Sequence, residues 1–142
     1  VLPEMMDGPG IIRDETGAQT LLGYVVDISA KDGKGRCVLD VGAQHGNRHG
    51  VLHGGIIACL LDNAMGYGAA VHVSEDGSAK FLTVSMNTQF IAPAPGGRVI
   101  ATGKITGGGR NLMFAEGELH HEDGRLLATA TGVYKKVAEG RG

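Results

Sequence analysis

From His53 to Val71 the chain reads His-Gly-Gly-Ile-Ile-Ala-Cys-Leu-Leu-Asp-Asn-Ala-Met-Gly-Tyr-Gly-Ala-Ala-Val, an apolar stretch built around one carboxylate, Asp62. Apolar side chains on every helical face predict a buried helix, from about Gly54 to His72. An acidic side chain is rarely buried without a partner, because removing its charge from water is costly. The residues one turn away, Ala58, Cys59, Met65 and Gly66, offer no partner for a carboxylate. The reason for Asp62 therefore lies outside its own helix, and catalysis is the leading candidate.

A chain of 142 residues suits one domain with a real core. Its net charge of −2, with both signs spread along the chain, gives no electrostatic footprint for nucleic acid or a membrane surface. With 4% aromatic residues there is no base-stacking platform to propose. Asp62 and several glycines are expected to keep the longest apolar run short of a membrane span. The start, Val1-Leu-Pro-Glu-Met-Met-Asp7, lacks the basic and apolar regions of a signal peptide. Cys37 and Cys59 read as two buried, reduced thiols in a cytoplasmic protein. No group nearby in sequence would hold Cys59 as a nucleophilic thiolate.

Residues 1–19 read as a polar N-terminal arm with room for one short helix, 20–136 as the domain, and 137–142 as a frayed tail. Leu21 to Ile28 and Gly35 to Val41 read as strands joined by a hairpin at Asp32-Gly33. A polar, glycine-rich loop from Gly42 to Leu52 precedes the helix. From Lys80 to Ile91, Leu82, Val84, Met86, Thr88 and Phe90 alternate with Thr83, Ser85, Asn87 and Gln89, so one face is expected on a core and the other in polar surroundings. Three more strands follow, Arg98 to Thr106, Asn111 to His120 and Arg125 to Lys136, joined at Gly107-Gly-Gly109 and Asp123-Gly124. One helix among about six strands is an α+β pattern, an antiparallel sheet with an apolar helix packed on it. Gly103, Gly117 and Gly132 within strands fit strong curvature or close backbone packing.

Gly54 and Gly55 open the helix, where free N–H groups and the helix dipole favour an oxyanion. Asp62 lies eight residues on, roughly 12 Å along the axis. One chain cannot aim both groups at one carbonyl. Two antiparallel helices side by side can, and Gly55, Ala58, Gly66 and Ala69 on or near the Asp62 face would allow their approach. The expectation is a symmetric dimer with two composite sites.

Asn47-Arg-His-Gly-Val-Leu-His53-Gly54-Gly55, Leu61-Asp62-Asn63, Thr83-Val-Ser-Met-Asn87 and Phe90-Ile-Ala-Pro93 together resemble the hotdog-fold acyl-coenzyme A thioesterases of the PaaI type, over about residues 20–136. The resemblance implies a curved antiparallel sheet wrapped around one long central helix, and homodimers or homotetramers with sites at the dimer interface. It implies an acyl-coenzyme A substrate and no cofactor or metal. Asp62 matches the general base or nucleophile, and Gly54 the N–H that polarises the thioester carbonyl. Asn47 matches a residue placing water or carbonyl, His53 one supporting the thioester end, and Thr83 a hydroxyl that positions the water. Gly55, Arg110 and Asn111 are the implied substrate contacts, with Arg110 near the coenzyme A tail.

Plainer readings stand beside these. Asp62 also suits a structural carboxylate at a subunit contact, His53 a helix-entry residue bonding nearby backbone, Asn47 a turn residue and Thr83 simple strand propensity. Gly107-Gly-Gly-Arg110-Asn111 also reads as a flexible turn, and no Walker ending supports nucleotide hydrolysis. His45, His49 and His53 are spaced by four, but Gly46 and Gly50 break the helix that would align them on a metal. The rival functions are a hotdog hydratase or dehydratase, whose His-Phe-Pro entry motif is missing here, and a binding module that senses acyl-coenzyme A without turnover. The acyl group is not legible in the sequence.

Overall fold

The computed structural model describes residues 6–138. The first five residues and 139–142, hence the beginning of the expected arm and most of the expected tail, lie outside the described residues. The elements in chain order are β1 (Ile11–Ile12), α1 (Gly17–Leu22), β2 (Val25–Asp27), β3 (Gly35–Val41), α2 (Gly54–Val73), β4 (Phe81–Phe90), β5 (Gly97–Gly108), β6 (Leu112–His121) and β7 (Leu126–Lys136). Among the described residues seven strands form one antiparallel sheet in the order β1-β2-β3-β5-β6-β7-β4. The long helix α2 crosses its inner face, as the sequence pattern predicts.

The strand expected from Leu21 is replaced at its start by a helix. Thr16 Oγ1 accepts from Gln19 N–H at 3.1 Å and caps α1, and Gly23 ends it in a left-handed conformation at φ +83°. Gln19, 3% exposed, donates to the carbonyls of Ile12 at 2.8 Å and Tyr24 at 3.2 Å. These local bonds outweigh the strand propensity of Leu21 and Leu22, and they tie residues read as an arm to the sheet.

Helix α2 buries Leu60, Leu61, Ala64 and Met65 completely. Each large side chain among them contributes roughly 1.5–3 kcal/mol. At 20 residues α2 is, by length and composition, apolar enough to cross a membrane, which corrects the expectation drawn from its interruptions; in this fold its apolar side chains pack on the sheet. The sheet receives the helix on a row of small residues. Gly35, Gly103, Gly117 and Ala130 are successive cross-strand partners on β3, β5, β6 and β7. A Cβ at Gly103 would strike the carbonyl of Ala64, and one at Gly35 would lie 2.8 Å from Tyr67 Cβ. Gly35 and Gly103 thus serve close backbone packing, whereas a Cβ at Gly117 or Gly132 would meet the side chains of Leu61, Met65 or Tyr134.

Strand β4 corrects the simple alternation. Its register slips between Thr83 and Ser85: Thr83 pairs with Tyr134, but Ser85 pairs with Val133. The extra residue, Val84, reverses the facing of everything before it. Phe81 and Thr83 therefore share the helix side with Met86, Thr88 and Phe90, whose partners Gly132, Ala130 and Ala128 are buried. Leu82 and Val84 point away from the helix, 64% and 58% exposed. As the last strand of the sheet, β4 leaves one edge unpaired in the protomer.

Candidate active site

Asp62 is half-buried on the side of α2 that the sheet leaves open, with Ala58, Cys59, Asn63 and Gly66. Ala69, expected on this face, is fully buried instead. Partners for the carboxylate come from two strands. Thr83 Oγ1 donates to Asp62 Oδ1 at 2.7 Å, and Tyr134 OH donates to the same oxygen at 2.8 Å. The phenol also approaches the main-chain oxygen of Asp62 at 3.2 Å. Oδ2 has no protein donor among the described residues. One oxygen is thus fixed and the other is left to act.

The β4 bulge turns Thr83 toward Asp62, so Thr83 reaches the site from the helix-facing side and not from the polar face the alternation gives it. Tyr134 is 1% exposed. Burial, then the neighbouring carboxylate, raises its phenol well above the ordinary value, which keeps it a donor. Sequence reasoning missed this residue. A signal was available: Ala128, Ala130, Gly132 and Tyr134 alternate as the buried row of β7. A tyrosine buried there needs an acceptor for its hydroxyl, and the unpartnered carboxylate of the apolar helix is Asp62.

These groups open on a cleft of about 710 Å³ between α2, the start of β4 and the Glu15-Thr16 segment, a volume ordinary for a small-molecule site. Asn63, Gly66, Tyr67, Ala70 and Phe81 also line it. Val137, expected in the tail, lines it too, its N–H bonded to the Lys80 carbonyl at 2.8 Å. A smaller hollow of about 290 Å³ on the opposite sheet face is lined by Arg36, Lys104, Glu116, Glu118 and His120. Its charges are of both signs, with Lys104 and Glu116 3.9 Å apart, and it holds no polarised nucleophile.

The other predicted residues gather at the start of α2. His53 is its N-cap, and the ring Nδ1 accepts from Gly55 N–H at 2.9 Å, which leaves the proton on Nε2 when the ring is neutral. This is the helix-entry reading of His53, and it engages the N–H of Gly55. The N–H of Gly54 has no acceptor among the described residues. Asn47 shapes the loop before the helix: its Oδ1 accepts from His49 N–H at 2.9 Å and Val51 N–H at 3.3 Å, while Nδ2 has no acceptor among the described residues. His45 is a buried strut, taking Gly42 N–H on Nδ1 and bonding Leu22 O through Nε2. No cluster of three metal-binding side chains occurs among the described residues. Burial raises the Cys59 and Cys37 thiols, so neither is poised as a thiolate.

The predicted residues thus fall into two groups. Asp62 and Thr83 meet; Asn47, His53 and Gly54 cluster roughly 12 Å away along the unbroken helix. Arg110 and Asn111 are exposed on the β5–β6 turn, where the Asn111 carbonyl accepts from Lys136 N–H at 2.8 Å; neither lines the Asp62 cleft.

Comparison with known proteins bears on the family and the fold. Residues 49–128 match the family described as the Thioesterase superfamily, a span running from the α2 entry loop into β7. Acyl-coenzyme A thioesterase 13 of Homo sapiens is 33% identical over 124 residues, which are 87% of this chain and 80% of that protein. A Bacillus halodurans protein crystallised with CoA superposes with a TM-score of 0.79 at 25% identity, over 90% of this chain and 83% of that one. The Escherichia coli PaaI protein from the phenylacetic acid degradation operon shares the fold, with a TM-score of 0.74 at 20% identity over 87% of this chain and 86% of its own.

Proposed function

The chain belongs to the Thioesterase superfamily and is a thioester hydrolase, and from that premise we propose that it hydrolyses acyl-coenzyme A with Asp62 as the activating carboxylate. The observation that carries this reading is the Asp62 carboxylate itself, which lines the cleft with one oxygen held by Thr83 and Tyr134 and the other without a donor among the described residues. Water beside Oδ2 loses a proton to it as its oxygen bonds the thioester carbon. The carbonyl oxygen becomes an oxyanion, for which Gly54 N–H at a helix start is the donor. Collapse breaks the C–S bond, and the proton on Asp62 passes to the departing thiolate. The products are a carboxylic acid and free coenzyme A. Thr83 spends its proton on Asp62, yet its lone pairs can still accept from the attacking water.

Gly54 and Asp62 on one rigid helix cannot share a carbonyl, so the reading requires a second copy. Asn47, His53 and Gly54 of one protomer face Asp62 and Thr83 of the other, in a homodimer or a pair of such dimers. The open side of α2 and the unpaired edge of β4 support such a pairing. Arg110, on the exposed turn, is placed toward the coenzyme A tail with Asn111. Two free thiols, Cys37 and Cys59, fit a cytoplasmic setting.

The test is thiol release from a panel of acyl-coenzyme A thioesters by wild type and Asp62→Asn. The variant is expected to lose about 10²- to 10⁴-fold in kcat while remaining folded. Unchanged turnover would overturn the role of Asp62. Absence of turnover with every thioester would leave a binding module. Labelled oxygen from water appearing in the Asp62 carboxylate would mark direct attack through an anhydride instead of base catalysis.

A further inference from the structure

Two glycines in the middle of α2 have different reasons to be there. Gly68 is dictated by packing: a Cβ would sit 3.0 Å from the carbonyl oxygen of Gly103. Gly66 is not. A Cβ there meets Tyr134 Cε2 at 3.7 Å, an ordinary contact, and nothing else within 4 Å beyond its chain neighbours and the adjoining backbone of its own helix. Alanine at 66 is therefore sterically allowed, and it would improve the intrinsic helix propensity. The fold gains nothing from the glycine, so its use lies in the space it leaves.

That space is in the cleft. Gly66 stands one turn beyond Asp62 on the same helix side, and Ala70 stands one turn further. Together they form a floor that runs from the carboxylate for roughly 12 Å. Phe81 and Tyr134 wall the strand side. The other wall is Tyr67, whose hydroxyl donates to Glu15 Oε1 at 2.8 Å and whose ring backs onto Gly77. Gly77, Ser78 and Ala79 also line it. A thioester carbon held at Asp62 has this channel directly beside it.

We propose that Gly66 is a specificity-determining residue: the acyl group of the substrate lies over it, and its missing side chain sets how long an acyl chain the cleft admits. The inference rests on the hydrolase reading. Substitution should act by length and not on turnover as such, because a methyl at 66 narrows the channel beyond the reacting carbon.

The experiment compares wild type, Gly66→Ala and Gly66→Val on acetyl- to dodecanoyl-coenzyme A. The ratio of kcat/KM for acetyl- to decanoyl-coenzyme A is expected to rise about ten- to two-hundredfold in Gly66→Ala. Gly66→Val should move the cut-off to a shorter chain, and Gly66→Ala should melt no lower than wild type. A loss equal at all chain lengths, or an unchanged ratio, overturns the proposal. So does a changed mass in light scattering with uniform loss, which would assign Gly66 to a contact between copies. The same acyl series is titrated by calorimetry against Asp62→Asn, with and without Gly66→Ala. This reads the floor without turnover, so failure of the catalytic reading and failure of the floor give different results.

Discussion

At the scale of single residues, the site turns on what Tyr134 does for Asp62. A phenol held in its neutral form by burial gives the carboxylate a donor that does not depend on assay pH over the ordinary range. A hydrogen bond to a charged group contributes about 1.5–3 kcal/mol. Tyr134→Phe keeps the ring in its slot and removes that bond, while Thr83 still holds Oδ1. The expected result is a fall in kcat of about ten- to hundredfold with KM little changed, measured by steady-state kinetics beside a urea midpoint. An unaltered kcat would show that Thr83 alone orients the carboxylate. Asp62 was legible in the sequence because a charge inside an apolar helix needs a reason. Thr83 was legible as a type but not as a direction, since a one-residue slip in β4 decides its facing. Tyr134 needed a link between positions 72 residues apart, which neither helix nor strand period reports.

At the scale of elements, α2 and the sheet fit because glycines remove side chains where backbones meet. Gly103→Ala should test this: its Cβ has nowhere to go against the Ala64 carbonyl and Met65 N. Overpacking of that kind costs about 1–3 kcal/mol, read as a lower urea midpoint with unchanged slope. A midpoint equal to wild type would show that the helix can shift away at no cost. The periods of 3.6 and 2 gave the long helix and the later strands to within about two residues. They failed where local bonds or a bulge intervened. Thr16 and Gly23 frame a short helix that takes in Leu21 and Leu22, read as the start of a strand, and Val84 broke the parity of β4. Both failures rest on single polar or irregular positions that periodicity averages away.

At the scale of the whole molecule, the proposed reading needs Gly54 and Asp62, too far apart on one helix to serve one carbonyl, to meet across copies. A mixture of two inactive variants tests whether they meet across copies. Asp62→Asn removes the base; Gly54→Pro removes the N–H at a first helical position where proline is tolerated. Mixed by unfolding and refolding together, half the dimers pair one of each, and each such dimer carries one intact site. Activity is expected to recover to about a quarter of wild type. No recovery, with mixed dimers shown by mass, would place the whole site within one chain.

The position of β4 in the sheet also bears on how the molecule is made. Among the described residues its only strand neighbour is β7, the last strand in chain order. A nascent chain emerging from the ribosome therefore carries Asp62 and Thr83 early, yet has no strand to pair with β4 until Lys136 has left the tunnel. The carboxylate gains its Tyr134 donor only in the step that completes the sheet. A truncated product lacking β7 has neither a finished sheet nor the Tyr134 donor, so the order of synthesis ties the maturation of this cluster to completion of the fold.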